Sequence, residues 1–349
     1  MRETPSTGRS GRRRLVGLAL LPVLALVPAG CTSGPDAQGM KGSYSLLVRD
    51  QVAAQVCQGR SFEVTLAQLL SPHREDYGRP YLVGVPGREE FAQGDKEFAR
   101  DVEAAYQALT AEPATPAADG KPRALALIGD HYHPPDYIRP ALEAARKAVG
   151  IPMDFLYDVT KLTAATLSRY RLLIVLRDGM NWPDPAANRP QWWMTDSQEQ
   201  AIIAFIRAGG GLLALHNANA LMPWTEAENP APILRVLGSQ YDSHGSSREG
   251  YRVRVLKRDH PVTRGVADFT ATGERHRPRP LADDMVRLLD ASGDGETCLA
   301  GYVRAEGKGR VAYLAFGHNR EVLELPDVQR LLANAAQWCC GVTSDGDAP

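Results

Sequence analysis

From Arg123 onward the chain alternates between short apolar runs and longer segments whose apolar positions recur every three or four residues. "RALALIG", "DFLYDV", "RLLIVL" and "GLLAL" are apolar stretches of strand length bounded by turn residues. Strands buried on both faces read this way. Between them lie "YIRPALEAARKAVG", stopped by Gly150, then "LTAATLSRY", then "DSQEQAIIAFIRAGGG". Thr195 caps the last of these, which opens on acidic residues and ends on glycines. Strand and helix in strict alternation predict right-handed crossovers. The expected fold class is therefore α/β: a doubly wound, mostly parallel sheet with helices on both faces, flavodoxin-like in outline. The second half adds "YRVRVL", "MVRLLD", "TCLAGYVR" and "RVAYLAF" as strands, some of them antiparallel, with a hairpin turn at Gly307–Arg310. "DVQRLLANAAQWC" closes the pattern as a helix.

The N-terminal third breaks this rhythm. Arg2, Arg9 and Arg12 to Arg14 precede "LVGLALLPVLALVPAG" and Cys31, the layout of a secretory leader rather than of a membrane span. The sequence thus predicts a signal peptide over 1–31 with a lipobox-like end, and lipidation at Cys31. A Gly/Pro-rich linker over 32–42 and an N-terminal extension over 43–120 follow. In the extension "YSLLV" and "RSFEVTLAQLL" fit short strands or a helix, while "DKEFARDVEAAYQAL" has helical spacing. The main domain spans 121–343 and a tail 344–349. The expected location is outside the cytoplasm, in the cell envelope, with the membrane as a partner through the lipid anchor.

Composition narrows the function. The chain has 349 residues, 44% of them apolar, and a net charge of −1, which lacks the basic excess of a nucleic-acid surface. No GxGxxG or GxxxxGK[ST] opens a helix, so neither a dinucleotide nor a P-loop site is predicted. Beyond Cys31 the cysteines are Cys57, Cys298, Cys339 and Cys340. Export allows one disulfide among them, with one of the adjacent pair reaching a distant partner.

The chemistry concentrates where strands end. Loops after parallel strands meet at one edge of the sheet whatever their separation in sequence. Asp130, His131 and His133 follow the first strand, Asp178 the third, His216 and Asn217 the fourth, and His318 the strand "VAYLAFG". His244, Glu274 and His276 lie in the less regular second half. Alternation around Tyr132 would aim His131 and His133 the same way, as two ligands or two sugar-binding donors need. Trp182, Trp192 and Trp193 are candidates for an aromatic sugar platform or for cover over the sheet edge. His260, before Pro261, reads as a loop organiser. Neutral imidazoles with a carboxylate suit zinc or a similar divalent ion, although no HExxH spacing is present and no cofactor is predicted outright. A serine or cysteine nucleophile is missing after the fourth strand, where the residues read Ala214-Leu215-His216-Asn217-Ala218.

These segments, in order "ALALIGDHYHPPDYI", "RLLIVL", "FIRAGGGLLALHNA", "YDSH", "DHPVTRGVADFTATGERH" and "GKGRVAYLAFGHN", resemble the successive motifs of the ThuA-like (trehalose-utilisation) family. The resemblance implies a variant of the class I glutamine amidotransferase fold. His216 then stands where amidotransferases carry their cysteine, so glutaminase activity is not expected. The family's His with a small polar pair matches His216, Asn217 and Ala218, and its Gly-His matches Gly317 and His318. Its Asp-Glu-x-Tyr is half kept: Gly273 replaces the Asp, Glu274 is retained, and His276 replaces the Tyr. The family's link to sugar utilisation implies a small-molecule carbohydrate or oxidised-sugar derivative as partner. His216, His318 and Glu274 are then the catalytic candidates, and Asp130, His131, His133, Asp178, Asn217, His244 and His276 the substrate-binding ones. A non-catalytic sugar-binding lipoprotein and a metal-dependent hydrolase are the competing readings.

Overall fold

The buried strand β1 (Ala124–Ile128) enters the core because all five of its side chains are apolar, and no polar face pulls it to the surface. The computed structural model describes residues 37–72, 88–113, 122–221 and 230–341. The signal peptide, Cys31 and the 344–349 tail lie outside them. Three helices precede β1: α1 (Ala37–Val56), α2 (Phe62–Pro72) and α3 (Arg88–Thr110). The stretches "YSLLV" and "RSFEVTLAQLL", open between strand and helix in the sequence, are thus helical. α1 also reaches back into the segment read as a polar linker.

After β1 come α4 (Pro135–Val149), β2 (Met153–Leu156), α5 (Ala164–Leu167) and β3 (Leu172–Leu176). A small hairpin of β4 (Met180–Asn181) and β5 (Gln191–Trp192) leads to α6 (Asp196–Arg207) and β6 (Gly211–Leu215). Thr195 and Gln198 close a full capping box on α6, as the sequence suggests. The second half runs α7 (Pro232–Leu237), β7 (Ser239–His244), β8 (Gly250–Val255), β9 (Phe269–Thr272), β10 (His276–Pro280), β11 (Val286–Gly293), β12 (Glu296–Glu306), β13 (Gly309–Leu314), α8 (Arg320–Leu323) and α9 (Pro326–Cys340).

Among the described residues one nine-stranded sheet takes the order β2-β1-β3-β6-β13-β12-β11-β8-β9. The first five strands are parallel, and β12, β11, β8 and β9 continue antiparallel. This is the predicted class. β13 is the hinge of the topology: the Gly307 hairpin turns it back from β12, yet it inserts beside β6 in the parallel half. A separate two-stranded ribbon, β10 with β7, lies outside the sheet and was not legible in the sequence. Its residues "HRPRP" carry two prolines and alternate with charge, a poor strand signal.

α1 is part of the core. Val48, Val52, Ala53, Val56 and Cys57 are buried together with the β1 and β3 side chains. Its last turn is tied down by Arg177, a fully buried guanidinium just after β3. Arg177 donates to the carbonyls of Cys57 (3.2 Å), Asp178 (3.1 Å) and Met180 (3.2 Å) and to Asn181 Oδ1 (2.8 Å). A cation at the C-terminus of a helix satisfies carbonyls that have no partner within it.

The disulfide that export would allow is not formed among the described residues: Cys57, Cys298, Cys339 and Cys340 are all free thiols. The reason is placement. Cys57 Sγ lies near the carbonyl of Asp130, past the end of β1, whereas Cys339 packs on Gly211 at the start of β6. Those are opposite edges of the parallel sheet.

Candidate functional site

Each parallel strand hands its next residue to the same edge of the sheet. His216 leaves β6 with φ +49°, a left-handed conformation costly for a side chain with a Cβ and characteristic of functional positions. The turn is held from behind. Tyr313 Oη donates to the His216 carbonyl (2.7 Å), and His276 Nδ1 donates in turn to Tyr313 Oη (3.0 Å). Gly317 makes room: a Cβ there would stand 2.8 Å from that of His216. His216 Nδ1 donates to the Ala315 carbonyl (3.1 Å), which leaves Nε2 as a bare lone pair.

His133 arrives through a tight turn. Asp130 Oδ1 accepts the backbone N–H groups of Tyr132 (2.8 Å) and His133 (2.9 Å), and the N–H of Asp130 bonds the His133 carbonyl (3.0 Å). This Asx turn overturns the alternation expected around Tyr132. His133 swings inward and is buried, while His131 turns away to stack on Trp182, with ring centroids 4.6 Å apart, and to meet Gln58 at 3.1 Å. Asp130 also receives His133 Nδ1 (2.9 Å), Asn217 Nδ2 (2.8 Å) and the N–H of Asp178 (3.1 Å). A carboxylate thus fixes the His133 tautomer and turns its Nε2 into the site.

There the side chains meet. His133 Nε2 lies 3.2 Å from His318 Nδ1. Glu274 Oε2 lies 3.1 Å from His318 Nδ1 and 3.4 Å from His216 Nε2. These four donor atoms all fall within 4.8 Å of one another, and among the described residues they form a group able to hold a metal. His216 is 1% exposed, Glu274 13% and His318 21%, so the cluster opens to solvent on the Glu274–His318 side. Tyr137 Oη lies 2.8 Å from the His318 carbonyl and 3.0 Å from that of Gly317, and steadies this loop.

The electrostatics follow from burial. Burial pushes His216 down to about 4 against the pull of Glu274, so its ring is neutral. Burial works to raise Glu274, but the His216 and His318 imidazoles outweigh it and hold the carboxyl well below its ordinary range. Asp130 follows the same pattern, with burial opposed by His133 and Asn217. Asp178, buried beside the charged Asp130, is pushed up. Burial also raises the Cys57 thiol to about 12, which leaves the cysteine nearest the site inert.

Three of the predicted residues take other places. His276 is buried behind His216, with ring centroids 4.5 Å apart, and acts on the backbone through Tyr313 rather than facing a substrate. His244 is exposed at the rim, 3.5 Å from the other oxygen of Glu274. His131 stands outside the cluster. The tryptophans also divide. Trp193 is buried, donates to the Asp178 carbonyl (2.8 Å) and carries Arg177 over its ring, which is cover for the sheet edge. Trp182 joins His131 and the half-exposed Tyr132 in an aromatic group beside the site. His260 caps the turn at Pro261, as expected. Gln58 and Tyr137 were missed, since neither follows a strand.

Fold and site together define an open α/β protein with a histidine–carboxylate centre at the carboxyl ends of its parallel strands. The chain belongs to the ThuA family, described as trehalose utilisation, whose model matches residues 123–339. A ThuA-like protein from Bacteroides uniformis is similar in structure, with 20% identity and a TM-score of 0.51, over 66% of this chain and 95% of that one. Another from Parabacteroides merdae has 17% identity and a TM-score of 0.51, over 66% and 93%. These likenesses support the fold alone. No curated protein sequence matches the chain.

Proposed function

We propose that the chain binds a small polyhydroxylated molecule, a carbohydrate or oxidised-sugar derivative, and processes it by hydrolysis or proton transfer. The observation that carries this reading is the convergence of His133, His216, His318 and Glu274, from four separate segments, on one solvent-facing point. Glu274 and His318 are the partly open members and meet the substrate. His216 and the Asp130–His133 pair are held rigidly, which is the preorganisation catalysis needs. Tyr132, exposed beside His133, and Trp182 form an aromatic group next to the cluster, and flat rings beside hydroxyl-binding groups suit a sugar. Thiolate acyl transfer has no part in this, because Cys57 is buried and protonated. The leader sequence supports export and anchoring at Cys31, which would place this chemistry in the cell envelope.

A panel of sugars and oxidised sugars, screened by thermal unfolding of the purified chain, tests the reading. A ligand at one hundred times its dissociation constant adds about 2.7 kcal/mol and raises the midpoint. His318→Ala should remove turnover of that ligand while unfolding cooperatively. The absence of any shift across the panel overturns the proposal.

A further inference from the structure

With the three imidazoles neutral, as metal ligands are, and Glu274 ionised, the three contacts in the cluster cannot all be hydrogen bonds. His216 Nδ1–H is committed to Ala315, so His216 Nε2 faces Glu274 Oε2 with no proton between them. It is a buried nitrogen without a hydrogen-bond partner. His133 Nδ1–H is committed to Asp130, so a proton between His133 Nε2 and His318 Nδ1 leaves His318 Nδ1 without one to give Glu274. A proton on His318 Nδ1 aimed instead at Glu274 leaves His133 Nε2, 3.2 Å away, without a donor of its own. In every such arrangement the buried His216 Nε2 lone pair stays opposed to Glu274 Oε2. Burying unpaired acceptors costs free energy that folded proteins rarely tolerate.

A single cation resolves every contact at once. We propose that His133 Nε2, His216 Nε2, His318 Nδ1 and Glu274 Oε2 are the ligands of one divalent first-row transition metal, of which zinc is the probe. Ligand atoms about 2.0–2.1 Å from a tetrahedral zinc sit about 3.4 Å apart. The contacts of 3.1, 3.2 and 3.4 Å lie close to that spacing. Three imidazoles and one carboxylate form a borderline donor set, which suits zinc and its neighbours and discriminates against calcium and magnesium. The surroundings match as well. Asp130 backs His133 and the Ala315 carbonyl backs His216, each fixing a ring by its remote nitrogen in the way metal-bound histidines are held. The Glu274–His318 side leaves room for a water or a substrate hydroxyl on the metal. Metal-bound water ionises near neutral pH and supplies a nucleophile without a serine or cysteine.

This inference is independent of which molecule occupies the opening. The full chain, stripped with a chelator and dialysed, is titrated with zinc and separately with cobalt(II). One zinc per chain is expected, with a higher unfolding midpoint and visible cobalt absorption of a four- or five-coordinate site. His318→Ala, at a partly exposed position, should lose stoichiometric zinc and the cobalt bands while unfolding cooperatively, and Glu274→Gln should do the same. Stripped protein that takes up no zinc or cobalt overturns the proposal, as does zinc binding unchanged in both variants. Metal binding without any sugar-induced shift would uphold this site and remove the carbohydrate reading. A sugar-induced shift in a protein that binds no metal would do the reverse.

Discussion

The two halves of the sheet are built by different rules. In the parallel half, β1, β3 and β6 are buried at every position, because helices cover both faces. In the antiparallel half, β8 alternates buried and exposed residues, with Arg252 and Arg254 pointing outward. The contrast reaches the site. The parallel half supplies His133, His216 and His318 from strand ends, on a scaffold that fixes where each loop begins. The antiparallel half supplies Glu274 from the segment between β9 and the β7–β10 ribbon. The imidazoles are thus placed by topology, and the carboxylate by one connecting loop.

That division can be tested by substitution. Leu213→Ala, fully buried at the middle of β6, should cost about 3–5 kcal/mol, measured by denaturant unfolding. A cost under about 1 kcal/mol would show that the centre of the parallel half is loosely packed. The antiparallel half has its own sensitive point. Arg275, with a fully buried side chain, is held by Glu249 at 2.6 Å, and Glu249 is itself 6% exposed. Glu249→Ala leaves that guanidinium with only the more distant and exposed Glu296 carboxylate, 4.0 Å away, and should cost about 3 kcal/mol, with Arg275→Met, Glu249→Met together recovering most of it. A double variant no better than the single one would show that the pair does more than neutralise itself. At the small end, Arg254→Ala removes an exposed guanidinium 3.6 Å from Asp290, which keeps Arg287 at 2.8 Å, and should change stability by less than about 0.5 kcal/mol.

The same contrast decides how much could be read beforehand. Continuous apolar runs identify β1, β3 and β6, and the rule that loops gather at strand ends brought Asp130, His133, His216 and His318 together on paper. Glu274 follows no buried strand, and only the resemblance to a known family pointed to it. His131 was misplaced because one side-chain oxygen of Asp130, by accepting two backbone N–H groups, converts an apparently extended loop into a turn. Spacing alone carries no mark of that. The ribbon of β7 and β10 escaped because it is held at its edges by polar and proline-rich residues rather than by an apolar face. The first two helices were ambiguous for a different reason, since their apolar positions are too scattered to separate a period of two from one of three and a half, whereas α3 shows helical spacing.

Arg177 carries a consequence for what counts as the working unit. The region shared with relatives begins at residue 123, yet this guanidinium spends one donor on a carbonyl at residue 57 and the rest on the loop that shapes the rim beside Asp178. Cutting the polypeptide at that boundary would take away the Cys57 carbonyl and leave a fully buried guanidinium with one acceptor fewer beside Asp178. The leading helices therefore help to hold the loop after β3, although the family match begins only after them.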